Sequence, residues 1–317
     1  MNEFKKLKQE LPRVRRNVPL KNYTTFRIGG PAEYFFIAKK TQGVIDAVAT
    51  ARSLKVPLFV LAEGSNVLVS DKGFNGLVIQ IQNSKFKIQN STLYADAGVS
   101  MDVVVRETGK CGLSGFEWAG GLPGSVGGAV RGNAGAFGGE IKDNLVSVAA
   151  LDTKGNIKIL SKKQCKFSYR DSLFKVKNWI VLSAIFQLKK GNKRKIQDIA
   201  KDHIAYRKER HPLEYPNAGS MFKNCDLREF SKKLQKELSD VVKTDPFPVV
   251  PTAYLISQVQ LKGMRIGKAE VSTKHPNYIV NKGNAKSKDV LLLIEKEKQI
   301  VKKKFCIDLE TEIQYVS

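Results

Sequence analysis

The sequence predicts a mixed α+β fold, and three features carry that reading. A strand–helix–strand unit opens the folded part of the chain. Several short strands follow with one helical pattern among them. A long helical pattern then comes near the end instead of alternating with strands. The 317 residues leave room for two or three domains. A hydrophobic fraction of 42% and a charged fraction of 26% are those of a globular protein.

In chain order, residues 1–20 read as a basic lead-in with a short helix ended by Pro12. Ala32–Ala38 is an apolar run with strand composition. Gly43–Leu54 places Val44, Ala47, Val48 and Ala51 on one helical face. Val56–Leu61 is a short buried strand, and Glu63-Gly64-Ser65-Asn66 a tight turn after it. Leu77–Ile81, Phe86–Gln89 and Thr92–Ala95 follow as strands, and Val99–Gly109 as a helix. Gly112 to Gly139 holds eleven of the chain's 25 glycines, yet is too apolar for a flexible linker. Ordered glycine-rich backbone of this kind marks close approach to a ligand or another segment. Val146–Asp152 and Ile157–Leu160 form a hairpin, and Trp179–Leu188 another strand. Lys195–Lys208 is helical and Pro212 follows it, which sets a domain boundary near residue 205. Beyond it come helical pieces at Phe230–Leu238 and Ala253–Gln258. A long helix at Ser287–Phe305 carries Val290, Leu293, Ile294 and Val301 on one face, and a final strand spans Leu309–Val316.

The excess of 54 Lys and Arg over 30 Asp and Glu gives a net charge of +24. It is spread along the chain, with no aromatic-basic RNA motif, zinc finger or basic zipper. The expectation is a basic surface suited to an anionic small ligand, with no nucleic-acid partner. A basic nucleic-acid-binding protein is the competing reading, but it leaves the glycine-rich segments without a role. Cys111, Cys165, Cys225 and Cys306 lie far apart and form no CxxC pair, so no metal site or disulfide framework is expected. The N-terminus lacks the apolar stretch of a signal peptide, and Val290–Ile294 is far too short to span a bilayer. These features predict a cytoplasmic protein without membrane insertion.

Two segments fit phosphate chemistry. Glu63-Gly64-Ser65-Asn66-Val67 follows an apolar strand, and successive N–H groups there can form an anion nest. Gly120-Gly121-Leu122-Pro123-Gly124-Ser125-Val126-Gly127-Gly128 can supply a second set, although either segment alone reads equally as a tight turn. Neither GxGxxG nor GxxxxGK[ST] occurs, which disfavours a Rossmann site and a P-loop. No HExxH or GxSxG occurs, and the only histidines are His203, His211 and His275. Three further groups have unusual settings. Arg170 sits among aromatic and polar residues, Ser220 follows a glycine with Lys223 and Asn224 near, and Glu310 and Glu312 share one face at the head of the last strand. Singly, each reads first as a surface salt bridge, a turn hydroxyl or a solvated carboxylate.

Several segments together resemble the UDP-N-acetylenolpyruvoylglucosamine reductase family. They are Asn22-Tyr-Thr-Thr-Phe-Arg-Ile-Gly-Gly30, Glu63-Gly-Ser-Asn-Val-Leu68, Leu122-Pro-Gly-Ser-Val-Gly-Gly128 and Asn133-Ala-Gly-Ala-Phe-Gly138. Tyr169-Arg-Asp-Ser172, Asn217-Ala-Gly-Ser-Met-Phe-Lys-Asn224, Leu261-Lys-Gly-Met-Arg-Ile-Gly267 and Leu309-Glu-Thr-Glu312 continue them in the family's order. The resemblance implies an FAD-binding fold of the vanillyl-alcohol-oxidase type at residues 21–205. It would form two subdomains, about 21–83 and 84–205, with a C-terminal α/β substrate domain at 206–317. It implies non-covalent FAD, NADPH as hydride donor, a UDP-sugar substrate, a role in peptidoglycan precursor synthesis and a monomer. Its catalytic positions fall on Arg170, Ser220 and Glu312. Its cofactor positions fall on Glu63, Gly64, Ser65, Asn66, Val67, Gly121, Pro123, Gly124, Ser125, Gly127, Asn133, Ala134 and Gly135. Tyr169, Arg210, Lys223, Asn224 and His275 match or neighbour positions that hold substrate. The short separation of Arg170 and Ser220 implies the subclass without a substrate-covering loop. A related FAD-dependent oxidase acting on another alcohol or hydroxy acid is the alternative.

Overall fold

A computed structural model describes residues 3–317. The chain divides into two compact units, and it passes between them more than once.

The first unit comprises residues up to Val18, Ala32–Glu63 and Asn75–Arg207. Its first sheet has the strand order Arg15–Pro19, Pro31–Ala38, Phe74–Ile81, Leu58–Leu61. Leu58–Leu61 runs parallel to Leu77–Gln80, a pairing that needs a crossover. The helix Thr41–Ser53 buries Val44, Ala47, Val48 and Ala51, the stripe that the spacing predicts. The basic lead-in is more than a helix. Glu3–Glu10 is helical as expected, but Arg15–Pro19 adds an edge strand to the sheet.

The second sheet of this unit is antiparallel throughout. Its order is Ile157–Ser161, Leu145–Leu151, Ile180–Gln187, Thr92–Asp96, Phe86–Gln89. The helix Met101–Lys110 is capped by Ser100, whose hydroxyl accepts the Val103 N–H. One continuous apolar core, from Leu7 to Leu188, draws on both sheets, with Phe116, Phe174 and Phe186 fully buried. Burying apolar surface is worth about 25 cal/mol per Å², so such side chains dominate the stability of the unit.

The second unit comprises Pro19–Pro31, Gly64–Phe74 and Lys208–Ser317. This differs from the contiguous division at residue 205 expected from the sequence, because two early segments pack with the C-terminal residues. The physical reason lies in their apolar side chains: Phe26, Ile28 and Leu68 enter the same core as Met221, Phe222, Ile279, Leu293 and Val301. A three-stranded antiparallel sheet of Arg265–Ile266, Ala269–Val271 and Ile279–Asn281 packs with the helix Ser287–Phe305. The strand expected over Leu309–Val316 is shorter than predicted. Only Gln314–Val316 is regular, and it runs parallel to Val67–Val69. Before it, Thr311 bridges Phe222, so the segment changes partners at Ile313.

Candidate active site

In the first unit the glycine-rich stretch is tied down closely. Ser125 caps the helix Val126–Arg131. The Val126 and Gly127 N–H groups donate to Val99 O and Ala97 O, each at 2.8 Å. Gly128 N–H donates to Ser125 Oγ at 3.4 Å. Gly127 is small for packing, since a Cβ there would lie 2.7 Å from the Ala97 Cβ. Of the donors expected over Gly124–Gly128, the Val126, Gly127 and Gly128 N–H groups are thus spent within the unit, and the Gly124 N–H donates to Glu63 Oε2 at 3.0 Å. Desolvation raises the Glu63 carboxyl above the usual carboxylate range; the Gly124 N–H opposes that rise and the Asp102 carboxylate adds to it. Gly121 has a left-handed φ of 71°, and Pro123 lies between the Leu122 amide, bonded to Ala119 O, and Gly124.

Asn133 is fully buried, and its amide is committed. Its Nδ2 donates to Glu140 Oε2 at 3.2 Å and to Ser168 O at 3.0 Å. Its Oδ1 accepts the Lys142 N–H at 3.2 Å. Ala134 exchanges backbone bonds with Ala129 and Ile141. Gly135 O accepts Arg170 Nη2 at 2.7 Å. Arg170 itself holds a left-handed φ of 55° at the tip of a turn closed by paired Ser168 and Asp171 backbone bonds. Its guanidinium carbon lies 5.1 Å from the centre of the Tyr169 ring.

In the second unit Gly64 has a φ of 63°, and a Cβ there would lie 2.5 Å from Tyr23 O. Ser65 and Asn66 follow it, and Val67 opens the strand Val67–Val69. Asn66 Nδ2 donates to Glu312 O at 3.2 Å, and Asn66 O accepts the Gln314 N–H. Glu312 N–H in turn donates to Met221 O at 2.8 Å, and Lys223 N–H donates to Glu310 O at 2.9 Å. These bonds bring the Gly64–Asn66 turn, Ser220 and Glu312 into one neighbourhood, although they lie far apart in sequence. Arg170 belongs to the first unit.

The expected substrate positions differ in setting. Lys223 is only 12% exposed in its side chain and pairs with Glu310 at 2.5 Å. Asn224 Oδ1 accepts the Thr252 N–H at 3.3 Å. Arg210 is exposed and pairs with its neighbour Glu209. His275 is pushed down to about 4 by burial, which outweighs the raising effect of its backbone hydrogen bond, so it is neutral at pH 7. Its ring packs 5.2 Å from His211 and 4.8 Å from Tyr278, and Tyr278 Oη lies 3.1 Å from His211 Nδ1. His211 and Tyr278 were not singled out from the sequence; no motif spacing links residues that meet only through the fold. Among the described residues no group of acidic, His or Cys side chains is arranged to hold a metal, and no helix is long and apolar enough to cross a membrane.

The two-sheet first unit with its glycine-rich cradle defines a flavoprotein: residues 32–161 match the FAD binding domain family, and residues 211–316 match the C-terminal domain of UDP-N-acetylenolpyruvoylglucosamine reductase. The chain is similar to the UDP-N-acetylenolpyruvoylglucosamine reductase of Caldanaerobacter subterraneus subsp. tengcongensis, at 40% identity over 95% of this chain and 92% of that protein. It is 38% identical to that of Clostridium novyi, over 96% and 92% of the two chains. The crystal structure of UDP-N-acetylenolpyruvylglucosamine reductase from Thermus caldophilus superimposes with a TM-score of 0.76 at 30% identity, covering 96% of this chain and 99% of that one. The chain belongs to the UDP-N-acetylenolpyruvoylglucosamine reductase family and is an FAD-containing oxidoreductase.

Proposed function

We propose that the chain reduces UDP-N-acetylglucosamine enolpyruvate to UDP-N-acetylmuramate with NADPH, in the cytoplasm, with Arg170, Ser220 and Glu312 as the catalytic residues. The observation that carries the residue assignment is the Glu312 N–H bond to Met221 O, which sets the Ser220 and Glu312 segments side by side. The tight turn at Gly64–Asn66, with its left-handed Gly64, suits the diphosphate of FAD.

Bound FAD would supply the hydride carrier between NADPH and the vinyl carbon of the enolpyruvyl group. Charge then builds on the neighbouring carbon and its carboxylate. The Arg170 guanidinium, always protonated, stabilises that charge, and Glu312 would have to carry or share a proton to assist at the same carboxylate and not repel it. The Ser220 hydroxyl gives its proton to the carbon. A hydroxyl is a weak acid, so it serves only once the carbon has become strongly basic, which orders proton transfer after hydride transfer. Lys223, held in place by Glu310, adds positive charge near the sugar nucleotide. Asn224, Tyr169, Arg210 and His275 are the further substrate-binding candidates. Burial holds His275 neutral at pH 7, which suits it to hydrogen bonding.

Stopped-flow measurement of flavin absorbance separates the two halves of the reaction. Ser220→Ala should leave reduction by NADPH near normal and slow reoxidation by the enolpyruvyl substrate by at least ~10²-fold, the lower end for a lost general acid. Ser220→Cys should recover part of the rate. A slow NADPH half with a normal substrate half would refute the proton-donor role.

A further inference from the structure

We propose that Asn133 is a positioning residue for Arg170 and not a ligand of the cofactor. The inference rests on the catalytic reading of Arg170 above, and Asn133 itself belongs to the segment that the family resemblance assigns to FAD.

Three observations carry it. First, Asn133 is fully buried, and both donors and the acceptor of its amide are bonded within the first unit. A side chain so committed has no N–H left to donate to a flavin. Second, its bond to Ser168 O grips the residue that opens the Ser168–Asp171 turn, and that turn carries Arg170. Third, Gly135 lies two residues further on, and its carbonyl holds the Arg170 guanidinium at 2.7 Å. Asn133 thus fixes the turn that carries the arginine, two residues from the carbonyl that the arginine's head group grips.

The need for such a clamp follows from the backbone. Arg170 sits at a φ of 55°, a conformation that costs a non-glycine residue energy and persists only where its surroundings enforce it. Ser172 Oγ donates to Arg131 O at 2.6 Å and helps from the far side of the turn. On the Asn133 side the anchor is Glu140, itself 7% exposed and paired with Lys142 at 2.5 Å. Asn133 also has a left-handed φ of 42°, so Asn133→Gly removes the amide without forcing a side chain into a strained backbone.

The test uses the flavin-loaded full chain and rates per bound flavin. In Asn133→Gly, FAD affinity, read by flavin fluorescence, should stay within about 2-fold of the parent, as expected for a group that does not touch the cofactor. Reduction by NADPH should be unchanged. Reoxidation by the enolpyruvyl sugar nucleotide should slow by roughly 10- to 100-fold, the scale of a misplaced catalytic group. In an Arg170→Ala background the same change should have little further effect, because its target is gone. Asn133→Asp keeps the Lys142 contact but loses both donors, and it should give the same pattern if the glycine variant loads flavin poorly from instability. Lost FAD affinity with a normal reoxidation rate would overturn the proposal, and so would an effect that adds in full to Arg170→Ala. If the parent chain binds FAD but is not reoxidised by this substrate, the proposed function fails instead.

Discussion

At the scale of single residues, the sharpest conflict between pattern and environment is Glu297. It falls in the apolar stripe of the helix Ser287–Phe305, between Ile294 and Val301, and it is fully buried. Among the described residues neither carboxylate oxygen has a hydrogen-bond partner, and burial pushes the carboxyl well above its usual range. Below the unfolded-state value of about 4.3 the group is protonated in both states and contributes no penalty. As pH rises past that point the unfolded chain ionises while the folded one holds its proton. Stability is therefore lost progressively as pH climbs toward the raised folded value. Glu297→Met, close in volume, should stabilise the chain by about 1–3 kcal/mol near neutral pH, the scale of an unsatisfied buried polar group. Urea unfolding should show a larger advantage at pH 8 than at pH 5; an equal advantage at both would mean that ionisation is not the cause. Its position three residues after Ile294 and four before Val301 puts it on the apolar face, but periodicity carries no record of whether a partner meets it there. The same limit applied to Asn133, whose segment was legible while the destination of its amide was not.

At the scale of elements, the helix Ser287–Phe305 was legible, read as running from about Ser287 to Phe305, because an apolar stripe of several turns is a strong local signal. What secures its start was not. Asp71, more than two hundred positions earlier, accepts the Ser287 N–H at 3.0 Å, the Ser287 hydroxyl at 2.9 Å and the Lys288 N–H at 3.4 Å. Asp289 accepts the Lys286 N–H from within the first turn. A remote carboxylate thus satisfies donors that a local cap satisfies elsewhere, and it meets the positive end of the helix dipole. Asp71→Ala should destabilise the chain by about 0.5–2 kcal/mol, the range of lost caps. Asp71→Asn should cost less, since it keeps an acceptor and loses the charge. Denaturant midpoints of the two variants check the order, and an asparagine variant as weak as the alanine one would place the effect in the charge alone. The last strand shows the opposite case. Its period-2 pattern over Leu309–Val316 was read as one strand. The chain pairs with Met221 through Lys223 first and with Asn66 through Val69 next, and alternation carries no record of a change of partner.

At the scale of the whole molecule, the family was legible because its segments recur in order along the chain, while the division into units was not. Pro19–Pro31 and Gly64–Phe74 have no compositional break that would announce their packing with the C-terminal residues; only the burial of Phe26, Ile28 and Leu68 reveals it. The net charge of +24 is likewise a property of the whole chain. A phosphate-rich substrate and NADPH are both polyanions, so a positive surface raises their encounter rate and local concentration without touching the chemical step. Such long-range attraction is screened over about 10 Å at 0.1 M salt and over about 3 Å at 1 M. Raising salt from about 0.02 M to 0.5 M should therefore increase KM for both ligands several-fold and leave kcat within a factor of about two, since groups in close contact are screened far less. Riboflavin, which carries no phosphate, should bind the flavin-free chain with little salt dependence. A fall in kcat with unchanged KM would assign the charge to the catalytic groups themselves. Tight duplex binding that weakens linearly on a log–log plot of affinity against salt would return it to nucleic acid.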